Sequence, residues 1–316
     1  MRIHPAFFAF WALACASAPT AAPVPASQAA PAASAAAAAP VPVPPFQPRS
    51  FSVKVVGAGR PIVFIPGLAC DGSVWDDTVA HLAGKFQAHI VTLSGFAGSA
   101  PMDDQPLLPT ARTELIEYIQ RTHLERPILV GHSLGGFLAY WIAETAPALI
   151  GAAIAVDGAP NIGTLLDPTA TAEVIRARAE AFARPMATMP RDEFAPAIQM
   201  FLGHTMASAV DAARIGAAAS KSDPRTVSDA MLFMFATDLR PDLPKIQAPV
   251  LLIAADTNGE VPRGPLEASW RAQVDAIPRH EIVFIEHSKH FVMLDQPTAF
   301  QQALDRFLAG EISSQR

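Results

Sequence analysis

From residue 51 onward the chain returns repeatedly to short apolar runs rich in β-branched residues, at 51–56, 61–65, 89–93, 127–130, 152–156, 250–254 and 281–285. Several are apolar at successive positions rather than at alternate ones, so both faces of such a strand must be covered. Helix-like stretches separate them, among them 107–123, 134–146 and 297–309. This alternation predicts an α/β domain whose mostly parallel central sheet is flanked by helices. One interval, about 161–242, breaks the pattern with helix-like segments and no convincing strand. It reads as a helical cap inserted over the C-terminal edge of the sheet, where the loops of such folds build sites. Within it fall Met186, Met189, Met200, Met206, Met231 and Met234, with Phe182, Phe194, Phe201, Phe233 and Phe235. These residues either form the insertion's own small core or line an adaptable pocket for an apolar group. Different residues can do each.

A chain of 316 residues, 51% hydrophobic, can bury one full-sized core. Its net charge of -6 comes with no basic stripe, which argues against nucleic acid or an acidic membrane surface as partner. Residues 16–45 contain only Ala, Pro, Ser, Thr, Val and Gln, and no charged residue lies between Arg2 and Arg49. Such a segment cannot bury enough surface to offset chain entropy, so 19–48 is expected to be an Ala/Pro-rich disordered linker ahead of a domain over 49–316. Before it, Met1-Arg2 and the apolar run 6–18 read as an export signal over 1–18. The protein is then expected in the periplasm or the medium. Cleavage after Ala16-Ser17-Ala18 would leave Pro19 leading. Ala12-Leu13-Ala14-Cys15 offers the alternative of a lipoprotein, with its leucine one place out of position, and lipid on Cys15 would make the linker a stalk on a membrane. The other cysteine, Cys70, has no partner for a disulfide in a mature chain.

The chemistry centres on Gly131-His132-Ser133-Leu134-Gly135-Gly136, which directly follows the run 127–130. Glycines on both sides of a serine leave room for a sharp strand-to-helix turn, which strains the serine and pushes its hydroxyl out of the sheet. The helix behind it aims its first amides at the same spot. A serine hydroxyl needs a base to attack at neutral pH, and the base needs an acid to orient it. His290 is the best of nine histidines, because it follows the last expected strand and precedes a helix starting near Pro297. His287 lies nearer the strand's end, and His132, fixed beside the serine, is expected to point its ring elsewhere.

These features resemble the α/β-hydrolase fold family. Ile62-Val63-Phe64-Ile65-Pro66-Gly67-Leu68 with Trp75 resembles its oxyanion strand and loop, with Pro66 where a histidine is more usual. Gly95-Phe96-Ala97-Gly98-Ser99 resembles its Gly-Phe-Gly-x-Ser loop, and His290-Phe291 with Leu294-Asp295-Gln296-Pro297 its histidine loop. The resemblance covers nearly all of 51–308. It implies Ser133 as nucleophile, an oxyanion hole from the amides of Leu68 and Leu134, and a cap. The dehalogenases and epoxide hydrolases of this fold carry an aspartate where this chain has Ser133, so their chemistry is not expected. The family's acid usually follows the strand before last, and there this chain places Asn258, with Asp256 two residues early and Glu260 two late. The family's other location, the end of the preceding strand, holds Asp157. Asp157 ranks slightly ahead of Asp256 because a strand end is rigid, Glu260 stands well behind, and Asp157 before Gly158 can also be read as a turn former.

No His, Cys, Asp and Glu set has a convincing metal-ligand spacing, and no cofactor is expected. Gly57-Ala58-Gly59 is expected to be a hairpin turn rather than a phosphate loop. Cys70 is expected to pack as a small residue. The expectation is therefore a serine hydrolase acting on a small-molecule ester or related acyl compound with an apolar group. Amide, lactone and carbon–carbon bond cleavage, acyl transfer, and a non-catalytic binding role are the alternatives.

Overall fold

A computed structural model describes residues 46–103, 106–256 and 261–313. The expected export signal and all but the last three residues of the expected linker lie outside them. Phe46, inside that linker, packs beneath Arg121, whose guanidinium carbon sits 5.5 Å from the ring centre.

Seven strands form one sheet: β1 (Phe51–Gly57), β2 (Arg60–Ile65), β3 (Phe86–Leu93), β4 (Ile128–His132), β5 (Ala152–Val156), β6 (Val250–Ala255) and β7 (His280–Ile285). Their order is β1-β3-β2-β4-β5-β6-β7, parallel throughout except that β1 runs antiparallel to β3. The central strands β4, β5 and β6 are buried at every residue, as their unbroken apolar runs require. The expected hairpin at Gly57-Ala58-Gly59 is corrected by this order, because β1 pairs with β3 and not with β2. The segment instead crosses the start of β3 so closely that a Cβ at Gly57 would stand 2.8 Å from the carbonyl oxygen of Phe86, and one at Gly59 2.6 Å from that of Lys85. Both glycines have positive φ, at 81° and 116°.

Helices α1 (Asp76–His81), α2 (Leu107–Arg121) and α3 (Leu134–Thr145) alternate with the first five strands. Beyond β5 come α4 (Ile162–Leu166), α5 (Ala172–Ala187), α6 (Arg191–His204), α7 (Ala209–Ala219), α8 (Pro224–Ala236) and a 3-10 turn, Arg240–Lys245, before β6. Helices α9 (Arg263–Val274), α10 (Val292–Asp295) and α11 (Pro297–Ser313) complete the described chain. Helix α3 lies against β2, β4 and β5, and α11 against β6 and β7.

In the stretch between β5 and β6, α5 packs on α8 and α6 on α7. Four of these helices start at their own side-chain caps: Asn161, Thr171, Ser208 and Asp223 each accept a hydrogen bond from the amide three residues on. Each satisfies an amide that the first helical turn leaves without a partner. Of the methionine and phenylalanine set, Phe194, Met206, Met231 and Met234 are buried in the core, whereas Phe182, Met200 and Phe201 are exposed. Met186, Met189, Phe233 and Phe235 are half-buried against that core.

Candidate active site

Backbone strain marks where the site lies. Seven of the described residues carry positive φ without being glycine, and two of them, His123 and Arg126, lie between α2 and β4. The other five, Ala69, Ala97, Ser133, Asp157 and His287, at 61°, 48°, 53°, 46° and 57°, each follow the C-terminal end of a different strand, β2, β3, β4, β5 or β7. Side chains avoid this region unless the surroundings hold them there, and such strain collects at functional edges.

Ser133 joins β4 to α3 at φ 53° and ψ -114°. Its amide donates to the carbonyl of Val156 at 2.9 Å, and its carbonyl accepts from the amide of Phe137 at 3.0 Å. The turn is tight enough that a Cβ at Gly131 would overlap the carbonyl of Gly135, and one at Gly135 the carbonyl of Ile65. Only glycine lets β4, the turn and the loop after β2 approach so closely. A Cβ at Gly67 would stand 3.4 Å from the Cβ of Ser133, so the loop after β2 lies across from the serine. In that loop the amide of Cys70 donates to the carbonyl of Gly67 at 3.1 Å, closing a four-residue turn through Leu68 and Ala69. With φ positive at Ala69, its third residue, the turn has the character of type II. Leu68 is buried in this turn, and Leu134 is the first residue of α3.

Asp157 and His290 meet although 133 residues separate them, with Nδ1 of the imidazole 2.6 Å from Oδ2 of the carboxylate. The other oxygen, Oδ1, accepts the amide of Ala255 at 2.8 Å, and the backbone amide of Asp157 donates to Ile253 at 2.8 Å. The carboxylate is thus fixed between the ends of β5 and β6. With the carboxylate accepting, Nδ1 carries the proton and Nε2 is left as the basic nitrogen.

His132 does not point away from this neighbourhood. Its Nε2–H donates to the carbonyl of His290 at 3.0 Å, and its ring lies 4.7 Å from that of His290 and 4.3 Å from that of Phe291. Complete burial, then the neighbouring His290, holds its basicity well below that of a free histidine, outweighing the bond to the carbonyl. A neutral ring agrees with an Nδ1 that has no hydrogen-bond partner among the described residues.

The other candidates stand apart. Asp256 donates its backbone amide to Ile285 at 3.0 Å and turns its carboxylate to Arg263 at 3.1 Å. Asn258 and Glu260 lie outside the described residues. His287 is exposed, and its carbonyl accepts from Gln296 at 2.9 Å. Cys70 is buried, and desolvation, with Asp71 nearby, pushes its thiol far up from the ordinary range, away from the reactive thiolate. No cluster with metal-binding composition occurs among the described residues.

Two residues that sequence reasoning passed over tie the helices between β5 and β6 to these loops. Asp295 accepts the amide of Lys289 at 2.8 Å and that of Ala207, before α7, at 2.7 Å. Ser222, between α7 and α8, bonds to both Ala69 and Ala97. Asp295 had a signal, since it stands in the segment that resembles the family's histidine loop, whereas Ser222 looks like any polar residue before a helix cap.

Residues 62–303 match the model of the alpha/beta hydrolase family. The pimeloyl-acyl-carrier-protein methyl ester esterase of Vibrio atlanticus (strain LGP32) is 27% identical over 268 residues, which cover 80% of this chain and 96% of that protein. The enzyme of the same name from Nitrosomonas europaea is 26% identical over 264 residues, covering 81% and 98%. Among solved structures, the enol-lactonase from Burkholderia xenovorans LB400 shares the fold with a TM-score of 0.67 at 21% identity, covering 82% of this chain and 96% of that one. A family match over most of the chain, on a sheet with these strand-end turns, leads to one conclusion: this chain belongs to the alpha/beta hydrolase family.

Proposed function

We propose that this protein is a serine hydrolase that cleaves a carboxylic ester through an acyl-enzyme. The observation that carries the reading is the 2.6 Å bond between His290 and Asp157, at the same sheet edge as a serine held at φ 53°. In this reading Nε2 of His290 takes the proton from Ser133 as Oγ attacks the ester carbonyl. Asp157 keeps the imidazole in the tautomer that can do so and stabilises the imidazolium that forms. The amides of Leu68 and Leu134 hold the tetrahedral oxyanion, His290 then protonates the departing alcohol, and water attacks the acyl-enzyme with His290 again as base.

The curated relatives, named as methyl ester esterases, support an ester over other acyl compounds. An apolar acyl group is proposed from the methionines and phenylalanines between β5 and β6, a region read here as a cap. Export through residues 1–18 belongs to the same proposal, and amino-terminal sequencing of the mature protein from fractionated cells tests it.

The decisive experiment is labelling with a fluorophosphonate followed by hydrolysis of an ester chain-length series. The parent is expected to be labelled at Ser133, and Ser133→Ala to lose turnover by on the order of a millionfold. Hydrolysis by Ser133→Ala at the parent's rate would overturn the reading.

A further inference from the structure

The turn proposed to supply one oxyanion donor is anchored from an unexpected direction. Ser222 is fully buried, in the short link between α7 and α8. Its hydroxyl donates to the carbonyl of Ala69 at 3.2 Å and accepts the amide of Ala97 at 2.8 Å. Both alanines are among the few residues with positive φ, so one hydroxyl bridges the strained positions of the loops after β2 and β3. The same link is fastened a second time, where the amide of Asp223 donates to the carbonyl of Gly95 at 2.7 Å. A third contact is steric: a Cβ at Gly95 would stand 2.7 Å from Cγ2 of Thr226, in the first turn of α8.

We propose that Ser222 is a positioning residue for the oxyanion turn, so that the helical insertion completes the catalytic edge as well as covering it. The inference rests on the reading of Leu68 as an oxyanion donor. The physical argument is one of torsion. The Gly67–Cys70 turn is closed internally by a single backbone bond, and an alanine at φ 61° in its third position favours relaxation toward negative φ. Rotation of Ala69 in that direction carries its carbonyl away from the hydroxyl of Ser222. That bond therefore opposes the relaxation and holds the aim of the Leu68 amide one residue upstream. An oxyanion donor works only when it is aimed at where charge develops, and a displacement of about 1 Å can cost on the order of a hundredfold. The Ser222 hydroxyl bonds to Ala69 and Ala97 and not to Asp157 or His290, so its removal leaves the bond between the base and its carboxylate in place.

The test compares the parent with Ser222→Ala, after fluorophosphonate labelling has established Ser133 as the parent's nucleophile. For Ser222→Ala, kcat on an ester is expected to fall about ten- to hundredfold with KM changed less than about twofold. Binding of an alkyl boronic acid, whose adduct with a serine places an oxygen in the oxyanion position, should weaken by a similar factor. The pH midpoint of kcat/KM should stay where it is, because the base is untouched. Ser222→Cys, with a weaker donor of similar shape, should fall between the two, and it carries the test if the alanine variant does not fold. Unchanged kcat and boronate affinity in a folded variant would overturn the inference, as would a loss accompanied by a shifted pH midpoint. Absence of labelling in the parent would instead overturn the reading of Ser133 on which the inference stands.

Discussion

The central strands and the helices inserted after β5 use buried surface in opposite ways. Strands β4, β5 and β6 hide every residue, whereas α5 buries only Ile175, Ala179 and Ala183, and α6 only Phe194, Ile198 and Leu202. Each helix is thus held by one narrow stripe at i, i+4, i+8, and its other faces meet solvent or the rest of the insertion. The helix starts differ in the same sense. Those at α4, α5, α7 and α8 are written locally by capping side chains, while α3 begins where the strained serine turn ends and has no side-chain cap. The sheet edge is over-determined by long-range packing, and the insertion is specified by short-range signals with much surface left open to change. A chain divided this way can keep its sheet edge rigid while the helices between β5 and β6 vary.

The sharpest challenge to this contrast is Asp157→Asn, which should lower kcat by about ten-thousandfold through loss of the correct tautomer, while Asp256→Asn stays within about threefold. Steady-state kinetics on one ester checks both, and comparable losses would mean that the sheet edge does not distinguish the two carboxylates. Next in size is a glycine at the start of α3, where the serine turn meets the loop after β2. Gly135→Ala drives a Cβ into the carbonyl of Ile65, where backbone meets backbone, and should cost about 3 kcal/mol or more, read from the urea midpoint.

A third test lies where the two regions touch, at Glu144 of α3. Burial, and then Asp242 in the last turn of the insertion, pushes its carboxyl up from 4.5 to about 8, against the opposing pull of Lys245 and Arg112. Its Oε2 has no hydrogen-bond partner among the described residues. Since the folded state binds the proton more tightly, this group withdraws stability as pH rises from about 4.5 to about 8, and the penalty is complete above that. Glu144→Gln mimics the protonated acid, so it should gain on the parent across that window by about 1–2 kcal/mol, seen as diverging Tm values. Parallel pH profiles for the two proteins would contradict it. The smallest effect is expected in α6, where a Cβ at Gly203 meets nothing within 4 Å. Gly203→Ala should stabilise by about 0.5–1 kcal/mol, the propensity difference alone. A loss there matching that at Gly135 would erase the distinction between the regions.

What could be read from the chain follows the same division. The seven strands were legible because a run such as Val250–Ala255 is apolar at every position, and the serine turn because Gly131 and Gly135 answer a steric demand that no other residue meets. Strand adjacency was not legible. The short link 57–59 suggests a hairpin, yet β3, from 86 onward, lies between β1 and β2, which depends on pairing across tens of residues. The neighbours of Asp157 and Asp256 were equally hidden, since both aspartates end adjacent strands. The difference is one of direction: Asp256 turns to Arg263, only seven residues away, while Asp157 reaches His290 across the fold. Ser222 escaped notice because its partners, Ala69 and Ala97, are backbone groups that leave no trace in composition.

The bond between Asp157 and His290 also orders events in time. It closes a loop of 133 residues that contains the whole insertion, β6 and β7. Closing so long a loop is entropically unfavourable until strand pairing rewards it, so β6 must dock on β5, and β7 on β6, before the imidazole finds its carboxylate. Helix content and compactness can therefore recover early in refolding while turnover lags. In a stopped refolding experiment, activity is expected to be the last signal to return.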